Sequence, residues 1–233
     1  MAAVRGNFMN NRLVVAVDGP AGSGKSSVSR EVARNNNLKY IDSGALYRSV
    51  TWYFLQQHSD LSPGINFKAE LKNIALRQEF NADGTADSYV NDRDVSSEIR
   101  NEIITGNIGV ISDNLDIREY INSILREWAQ VDSIIMDGRD IGTVVFPDAD
   151  LKIYLDASVE IRTDRRAKEY REMGKNVDEN DIKNQIIQRD NQDMDRPFGA
   201  LKQAEDALKI DTSPMNRQEV IDLIGEYIKK QKC

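Results

Sequence analysis

A short apolar segment, followed by a glycine-rich loop and a helix, constrains the fold of this chain more than any other feature. Residues 13–17 form a continuous apolar run with three valines, which is typical of a strand buried on both faces. Three glycines follow within residues 19–24, and a helical stretch then covers about 25–34 before three asparagines end it. This strand–loop–helix unit predicts an α/β fold, in which helices cover both faces of a parallel sheet.

The rest of the chain continues the alternation of strands and helices. Further short strands are expected at residues 39–41, 133–136, 151–155 and 208–210. Helical spacing of apolar residues, or a polar helical composition, predicts helices at about 45–57, 116–129, 158–173, 178–194 and 216–230. Together they predict a three-layer fold around a mostly parallel five-stranded sheet.

The segment from about 66 to 95 has a different pattern. Residues 76–80 and 86–91 read as two strands, joined by a turn that contains Asp83-Gly84. Residues 93–95 add a third short strand. We therefore expect a small antiparallel β insert within the larger α/β fold.

The glycine-rich loop also indicates a chemistry. Its sequence is Gly19-Pro20-Ala21-Gly22-Ser23-Gly24-Lys25-Ser26-Ser27, which fits G-x-x-x-x-G-K-[ST] between a strand and a helix. In such a loop the backbone N–H groups hold phosphate oxygens, as P-loop NTPases do. Lys25 would reach the β- and γ-phosphates, and Ser26 would offer its hydroxyl to Mg²⁺. Asp137, at the end of the strand at 133–136, is a second candidate Mg²⁺ ligand.

Composition excludes several classes of protein. The 233 residues include 31 basic and 38 acidic ones, a balance opposite to that of a general nucleic-acid binder. A single histidine, His58, excludes His-based hydrolases, and a single cysteine, Cys233, excludes internal disulfides and CxxC metal sites. There is no apolar run of about 18 residues that would span a membrane. We expect a cytoplasmic monomer without a nucleic-acid or membrane partner.

A phosphate-binding loop leaves open a switch GTPase, a motor or regulatory ATPase, and a kinase. A switch GTPase needs an N-K-x-D element to read guanine, and the chain has none. Several arginines follow predicted strands or lie on the two late helices, which is more positive charge than one γ-phosphate needs. A phosphate monoester as acceptor would explain them and would need no general base. A nucleoside monophosphate kinase is therefore favoured over a sugar or shikimate kinase.

Several segments together resemble the bacterial-type cytidylate kinases. They are Asp18 with the loop that follows it, Asp-Ser-Gly-Ala-Leu-Tyr-Arg at 42–48, Asp-Val-Ser-Ser-Glu-Ile-Arg at 94–100, Met-Asp-Gly-Arg-Asp-Ile-Gly-Thr-Val-Val-Phe-Pro at 136–147, Arg189-Asp190, and Ala-Glu-Asp-Ala-Leu at 204–208. They cover nearly the whole chain in order. The resemblance implies a P-loop kinase that transfers the γ-phosphoryl group of ATP, with Mg²⁺, to CMP and to dCMP. It implies a core at 11–65, 96–157 and 200–233, an acceptor-side insert at about 66–95 and a helical lid at about 158–199.

The resemblance also implies roles for individual residues. Lys25, Arg139 and Arg166 would act in catalysis, and Arg162 and Arg165 would join the loop in binding ATP. Arg48 and Arg139 would hold the acceptor phosphate beside Ser43. Arg118 and Asp140 would read cytosine, which offers an amino donor and two acceptors. The pentose would be held by Arg189, Asp193 and Arg196.

Two positions depart from the family pattern. Gly109 stands where the family commonly has a serine that binds the cytosine amino group, and Ala200 stands where it often has proline. Ser112 or a water is a candidate substitute for the missing serine. Two alternatives stay open: another monophosphate kinase of the same fold, acting on UMP or AMP, and a sensor that binds ATP without transferring its phosphate.

Overall fold

The computed structural model describes residues 12–61, 64–81 and 85–231. The strands are β1 (Val14–Asp18), β2 (Lys39–Asp42), β3 (Leu76–Phe80), β4 (Ala86–Val90), β5 (Arg93–Asp94), β6 (Ile134–Gly138), β7 (Leu151–Asp156) and β8 (Leu208–Asp211). Five of them form one sheet in the order β2-β6-β1-β7-β8, and every neighbouring pair is parallel. The predicted five-stranded parallel sheet is confirmed, so the carboxyl ends of all five strands lie along one edge.

The other three strands form the predicted antiparallel sheet, in the order β3-β4-β5. Leu76 pairs with Val90 and Phe80 with Ala86, whereas the predicted Asp83-Gly84 turn lies outside the described residues. The insert is attached to the main fold by the Gln78 side chain, which donates to the backbone oxygen of Asp42 at 3.2 Å.

The helices are α1 (Lys25–Asn36), α2 (Ser43–Gln57), α3 (Phe67–Glu70), α4 (Glu102–Ser112), α5 (Leu115–Ala129), α6 (Val159–Glu172), α7 (Glu179–Met194) and α8 (Arg217–Gln231). The six predicted helices agree with α1, α2, α5, α6, α7 and α8 to within one or two residues at each end. Helix α2 starts two residues earlier than predicted because Asp42 caps it by accepting from the Ala45 N–H at 2.9 Å. In the described residues, no helix has the length and apolar content to cross a membrane.

Two apolar clusters fill the space between the sheet and the helices on its two faces. Alternate residues of β6 point to opposite faces, so Ile134 and Met136 pack with α2, α4 and α5, whereas Ile135 packs with α1 and α8. Helices α6 and α7 pack on each other through a smaller cluster of Ala167, Ile182 and Ile186. The three-layer prediction is therefore confirmed, with the α6–α7 pair beside the carboxyl edge of the sheet.

Candidate active site

The loop between β1 and α1 turns sharply at three glycines. Gly19, Gly22 and Gly24 have φ of 148°, 76° and 91°, values that favour glycine over residues with a side chain. At Gly19 a Cβ atom would also overlap the backbone oxygen of Leu155. The loop therefore passes tightly across the end of β7 and ends at the N-terminus of α1, where backbone amides and the helix dipole favour an anion.

Lys25 is folded into this loop. Its Nζ donates to the backbone oxygen of Pro20 at 2.7 Å and to Ser23 Oγ at 3.3 Å, and the side chain is buried. Burial lowers the pKa of Lys25 well below its usual range, and the charge of Arg139 lowers it further, against the charges of Asp137 and Asp18. A buried cation in this environment is stabilised by any anion that enters the loop.

Ser26 and Asp137 meet at the mouth of the loop. Ser26 Oγ donates to Asp137 Oδ2 at 2.7 Å, and the Tyr40 hydroxyl donates to Asp137 Oδ1 at 2.6 Å. Burial raises the pKa of Asp137, and the neighbouring charge of Asp42 raises it further. The hydroxyl and the carboxylate are oxygen ligands of the kind that Mg²⁺ prefers, and this ion usually takes only one or two protein ligands beside substrate phosphates. The two residues therefore fit the metal expected from the sequence.

Asp18, the residue before the loop, is a site residue that the motif did not reveal. Its carboxylate accepts from the backbone N–H groups of Ile141 at 2.8 Å and Gly142 at 2.7 Å. These residues begin a single π-helical turn, Ile141–Val145. Burial raises the pKa of Asp18 to about 6, although both backbone hydrogen bonds oppose this shift.

This raised pKa predicts how stability depends on pH. Between about pH 4 and 6 the folded protein retains a proton on Asp18 that the unfolded chain has released, so the contribution of Asp18 to stability falls as pH rises. Two pKa units correspond to about 3 kcal/mol. The quantity to compare is the difference in the free energy of unfolding between the unmutated parent protein and Asp18→Asn. We expect this difference to fall by about this amount from pH 4 to pH 7. Urea unfolding of both proteins across this range measures the difference, and a constant difference would contradict the prediction.

Two arginines from different segments, one of them near Lys25, meet at the carboxylate of Asp193. Arg139 Nε donates to Asp193 Oδ2 at 2.5 Å, and Arg196 Nη2 donates to Asp193 Oδ1 at 2.9 Å. Arg196 also pairs with Asp113 at the end of α4, at 3.0 Å. Although burial opposes it, the charges of Arg139 and Arg196 hold the pKa of Asp193 below its usual range. The carboxylate thus orients two predicted substrate-binding arginines.

We call Arg48, Arg139, Arg189 and Arg196 the arginine cluster. This cluster carries more positive charge than the neighbouring carboxylates neutralise. Enclosure by surrounding protein atoms lowers the pKa of Arg189 to about 10, and the charges of Arg139 and Arg48 contribute to this shift. The Arg189 side chain nevertheless remains exposed. Arg48 donates to Thr105 Oγ1 at 2.9 Å. Burial lowers the pKa of Arg48, and the charges of Arg100 and Arg166 lower it further, against the charge of Asp42. Such a concentration of positive charge favours anionic ligands.

Arg118 and Asp140 form a buried ion pair next to Arg139 in the chain. Their side chains are 4% and 8% exposed, and Arg118 also donates to the backbone oxygen of Ser112 at 2.9 Å. The guanidinium lies 5.6 Å from the centre of the Tyr47 ring. At Gly199 a Cβ atom would overlap both members of the pair, so the chain after α7 passes directly over them. The structure thus brings together the two residues that the resemblance assigns to base recognition.

The three arginines of α6 have separate environments. Arg162 is buried and donates to Asp190 at 2.6 Å and to the backbone oxygen of Ala21 at 2.9 Å, while Asp190 accepts from the Ala21 N–H at 3.3 Å. This pair therefore ties α6 and α7 to the phosphate loop. Arg165 instead donates to the Thr212 hydroxyl and backbone oxygen, at 3.0 and 2.8 Å.

Arg166 is the most exposed of the three. It donates to Glu169 Oε2 at 2.9 Å on its own helix. Its charge also contributes to lowering the pKa of Arg48, so the two guanidinium groups are near enough for their charges to interact. A contact of any of the three arginines with ATP stays a prediction.

Besides Asp18, Arg100 is a site residue that the sequence did not reveal. Arg100, on the short helical turn after the insert, pairs with Asp42 at 3.2 Å beside Arg48. Ser43, a predicted acceptor-site residue, donates to the backbone oxygen of Asp137 at 2.7 Å and thereby joins β6 to α2. The last residue of the Asp-Val-Ser-Ser-Glu-Ile-Arg segment was the available signal for Arg100, since the whole segment had been identified.

Comparison with known proteins identifies the family. A protein-family model described as cytidylate kinase matches residues 15–230. The chain belongs to the cytidylate kinase family. It is 37% identical to a cytidylate kinase of Bacillus licheniformis over 96% of this chain and 99% of the relative. It is 40% identical to one of Clostridium tetani, over 93% and 94%, and 41% identical to one of Lactobacillus gasseri, over 96% and 97%.

Solved structures with low sequence identity share the fold. A protein of Eubacterium ventriosum is 15% identical and superposes with a TM-score of 0.53, covering 94% of this chain and 99% of its own. A protein of Thermus thermophilus is 10% identical with a TM-score of 0.51, covering 94% and 97%. At these identities the likeness supports the architecture alone, whereas family membership comes from the sequence relatives.

Proposed function

We propose that the protein transfers the γ-phosphoryl group of ATP to CMP, with dCMP as a second acceptor, giving ADP and CDP or dCDP. One observation carries the proposal: Arg139 and Asp140 are consecutive, so one segment links the arginine cluster beside Lys25 to the buried Arg118–Asp140 pair. The relatives named above, which are cytidylate kinases over nearly their full length, support the same activity.

On the donor side, the loop residues 19–27 would hold the phosphates of ATP, with Lys25 beside the β- and γ-phosphates. Ser26 and Asp137 would hold Mg²⁺, which when bound neutralises charge on the transferring phosphates. The Arg162–Asp190 pair would support the loop from outside through Ala21. Arg165 would hold the segment around Thr212 in place.

On the acceptor side, Arg48 and Arg139 would hold the phosphate of the monophosphate, beside Ser43. The acceptor oxygen of a phosphate monoester is largely ionised near neutral pH, so the step needs positioning and charge neutralisation rather than a general base. Arg189, Asp193 and Arg196 would hold the pentose. A guanidinium and a carboxylate can bind its 3′-hydroxyl when the 2′-hydroxyl is missing, which would allow dCMP.

The base would be selected by the buried pair. The Asp140 carboxylate accepts hydrogen bonds and would take one from the cytosine amino group, while the Arg118 guanidinium would donate to the ring acceptors. Uracil has a carbonyl where cytosine has its amino group, so it would face the carboxylate with an acceptor. UMP should therefore be a poor substrate.

Helices α6 and α7 would act as a lid. Arg166 would add positive charge at the transferring phosphate when the lid closes over both substrates, and closure would exclude water that could hydrolyse ATP. The cytoplasmic location and the monomeric state stay predictions of the sequence.

The proposed function is tested by a coupled steady-state assay with Mg²⁺–ATP. CMP, dCMP, UMP and AMP are compared as acceptors at equal concentrations. Strong turnover of CMP and dCMP with little turnover of the others is the expected result. Turnover of none of them, with ATP still bound, would favour the sensor alternative, and preference for UMP or AMP would favour another monophosphate kinase.

The site also predicts an effect of filling Gly109. On α4, Thr105 contacts Arg48, and Asp113 at its C-terminal end contacts Arg196; helical spacing places Gly109 between them on the same face. A Cβ atom at Gly109 would meet nothing within 4 Å. We expect Gly109→Ser to add one hydrogen bond to the cytosine amino group, about 1 kcal/mol, and so to raise the CMP:UMP ratio of kcat/KM several-fold.

Gly109→Ala is the matched control, because it gives α4 a side chain without the hydroxyl. It should increase stability as a glycine-to-alanine change in a helix does, and it should leave the CMP:UMP ratio unchanged. An equal ratio for the serine and alanine variants would show that position 109 does not contact the base.

A further inference from the structure

Asp18 spans the gap between the donor loop and the segment that carries Arg139 and Asp140. It is the last residue of β1 and pairs with Gly138, the last residue of β6. Only 4% of its surface is exposed, and its two carboxylate oxygens each accept from one backbone N–H, of Ile141 and of Gly142. The next residue, Gly19, begins the phosphate loop.

The segment that Asp18 holds has little regular structure to support it. Strand pairing ends at Gly138, and Asp140 has φ of −140° and ψ of 25°, outside both helical and strand conformations. The Asp140 backbone oxygen accepts from the N–H groups of Val144 at 2.8 Å and Val145 at 3.2 Å, which closes the π turn. Arg139 and Asp140 are therefore positioned by β6 on one side and by the turn on the other.

Packing around Gly142 leaves the turn little freedom. A Cβ atom there would lie 3.2 Å from Lys152 Cδ and 3.3 Å from Asp18 Oδ2, closer than ordinary van der Waals contact. Lys152 is itself held by Asp206, whose oxygens lie 2.8 and 2.9 Å from its Nζ. The carboxylate of Asp18 and the stem of Lys152 thus enclose Gly142 together.

We propose that Asp18 is a positioning residue for acceptor-base selection: by holding the Ile141 and Gly142 amides it keeps Asp140 against Arg118, in the place where the base is read. The proposal rests on the proposed function. It differs from the assigned roles of the loop, since the Asp18 carboxylate is bonded to the Ile141 and Gly142 amides and acts through the π turn. Its side chain makes the donor loop and the base-reading segment parts of one rigid unit.

The test is the isosteric variant Asp18→Asn. Its amide group can accept from only one of the two N–H groups and presents an N–H donor to the other, so the turn must shift. A displacement on the order of 1 Å in a substrate-positioning group costs up to about 10²-fold in rate. We expect the CMP:UMP ratio of kcat/KM to fall about tenfold. The KM for ATP should change much less than the CMP:UMP ratio, because Arg162 and Asp190 hold the loop independently.

Two further variants make the result specific. Asp206→Asn is the matched control: it makes the same chemical change at the exposed partner of Lys152 and leaves both Asp18 hydrogen bonds in place. It should keep the parent CMP:UMP ratio. Gly142→Ala disturbs the same contact from the backbone side, and it should lower the ratio in the same direction as Asp18→Asn. If Asp18→Asn does not fold, Gly142→Ala tests the proposal by itself.

The outcomes separate this inference from the proposed function. A parent protein that prefers CMP, with Asp18→Asn and Gly142→Ala retaining that preference, would overturn the inference and leave the function standing. An equal loss of activity for CMP and UMP, with the ratio unchanged, would also overturn it and reduce Asp18 to a residue of general stability. Failure of the parent to phosphorylate CMP would overturn both.

Discussion

Replacing Arg139 by alanine is expected to lower kcat about 10³-fold or more, while the KM for ATP changes little. The guanidinium is bonded to Asp193 and lies close enough to Lys25 for the two charges to interact, on the segment that would face both phosphates. In the transition state charge spreads over the oxygens of the transferring group, and an arginine placed there is worth 10³- to 10⁵-fold in rate. The loss of Arg139 also leaves the Asp193 carboxylate with Arg196 as its remaining ion-pair partner, which adds negative charge where the phosphates meet.

Steady-state kinetics with CMP and ATP varied separately measures this effect. Arg34→Ala is the control, because it removes an exposed arginine whose partner is Glu31 on the same helix, and it should leave kcat and both KM values unchanged. A loss confined to the KM for CMP would mean that Arg139 binds the acceptor equally in the ground and transition states, and would remove it from the catalytic group.

Much of the fold was predictable because its signals are local. The strand at residues 13–17 is recognisable from its apolar run. The strand before the π turn, β6, is recognisable in the same way. Helix α4 was missed for a local reason too: Gly106 and Gly109 lower its helix propensity, and its isoleucines do not form a single stripe. Asn101 was the available signal, since its side chain caps α4 by accepting from the Ile104 N–H at 2.8 Å.

Individual site residues could be predicted from the sequence, but the contacts between them could not. The motif identified Lys25 and Ser26, and the resemblance named Arg118 and Asp140, yet nothing local shows that these last two are buried together. Arg162 and its acceptor at Ala21 are 141 positions apart along the chain, so its tie to the phosphate loop depends on tertiary structure. Asp18 was missed as a site residue for the same reason, because its partners are amides of a turn that has no sequence signature.

The burial of the Arg118–Asp140 pair predicts the largest effect on stability. Burial raises the pKa of Asp140, against the opposing charge of Arg118. Arg118→Met keeps much of the side-chain volume but removes the charge, which leaves a carboxylate buried without its partner. Breaking a buried pair in this way costs about 3–5 kcal/mol, and for a chain of this size such a loss lowers Tm by about 10 °C.

Urea unfolding of Arg118→Met, of Asp140→Leu and of the double variant separates stability from recognition. Arg171→Met is the control, because its ion pair with Glu179 is exposed and should contribute less than about 1 kcal/mol. In the double variant both charges are gone, so most of the loss should be recovered, since apolar residues often replace a buried pair at no cost. The double variant should nevertheless fail to select CMP over UMP. A stable protein without base selection would show that the pair is retained for reading the base rather than for folding, whereas a double variant as unstable as Arg118→Met would place the pair among the structural contacts of the core.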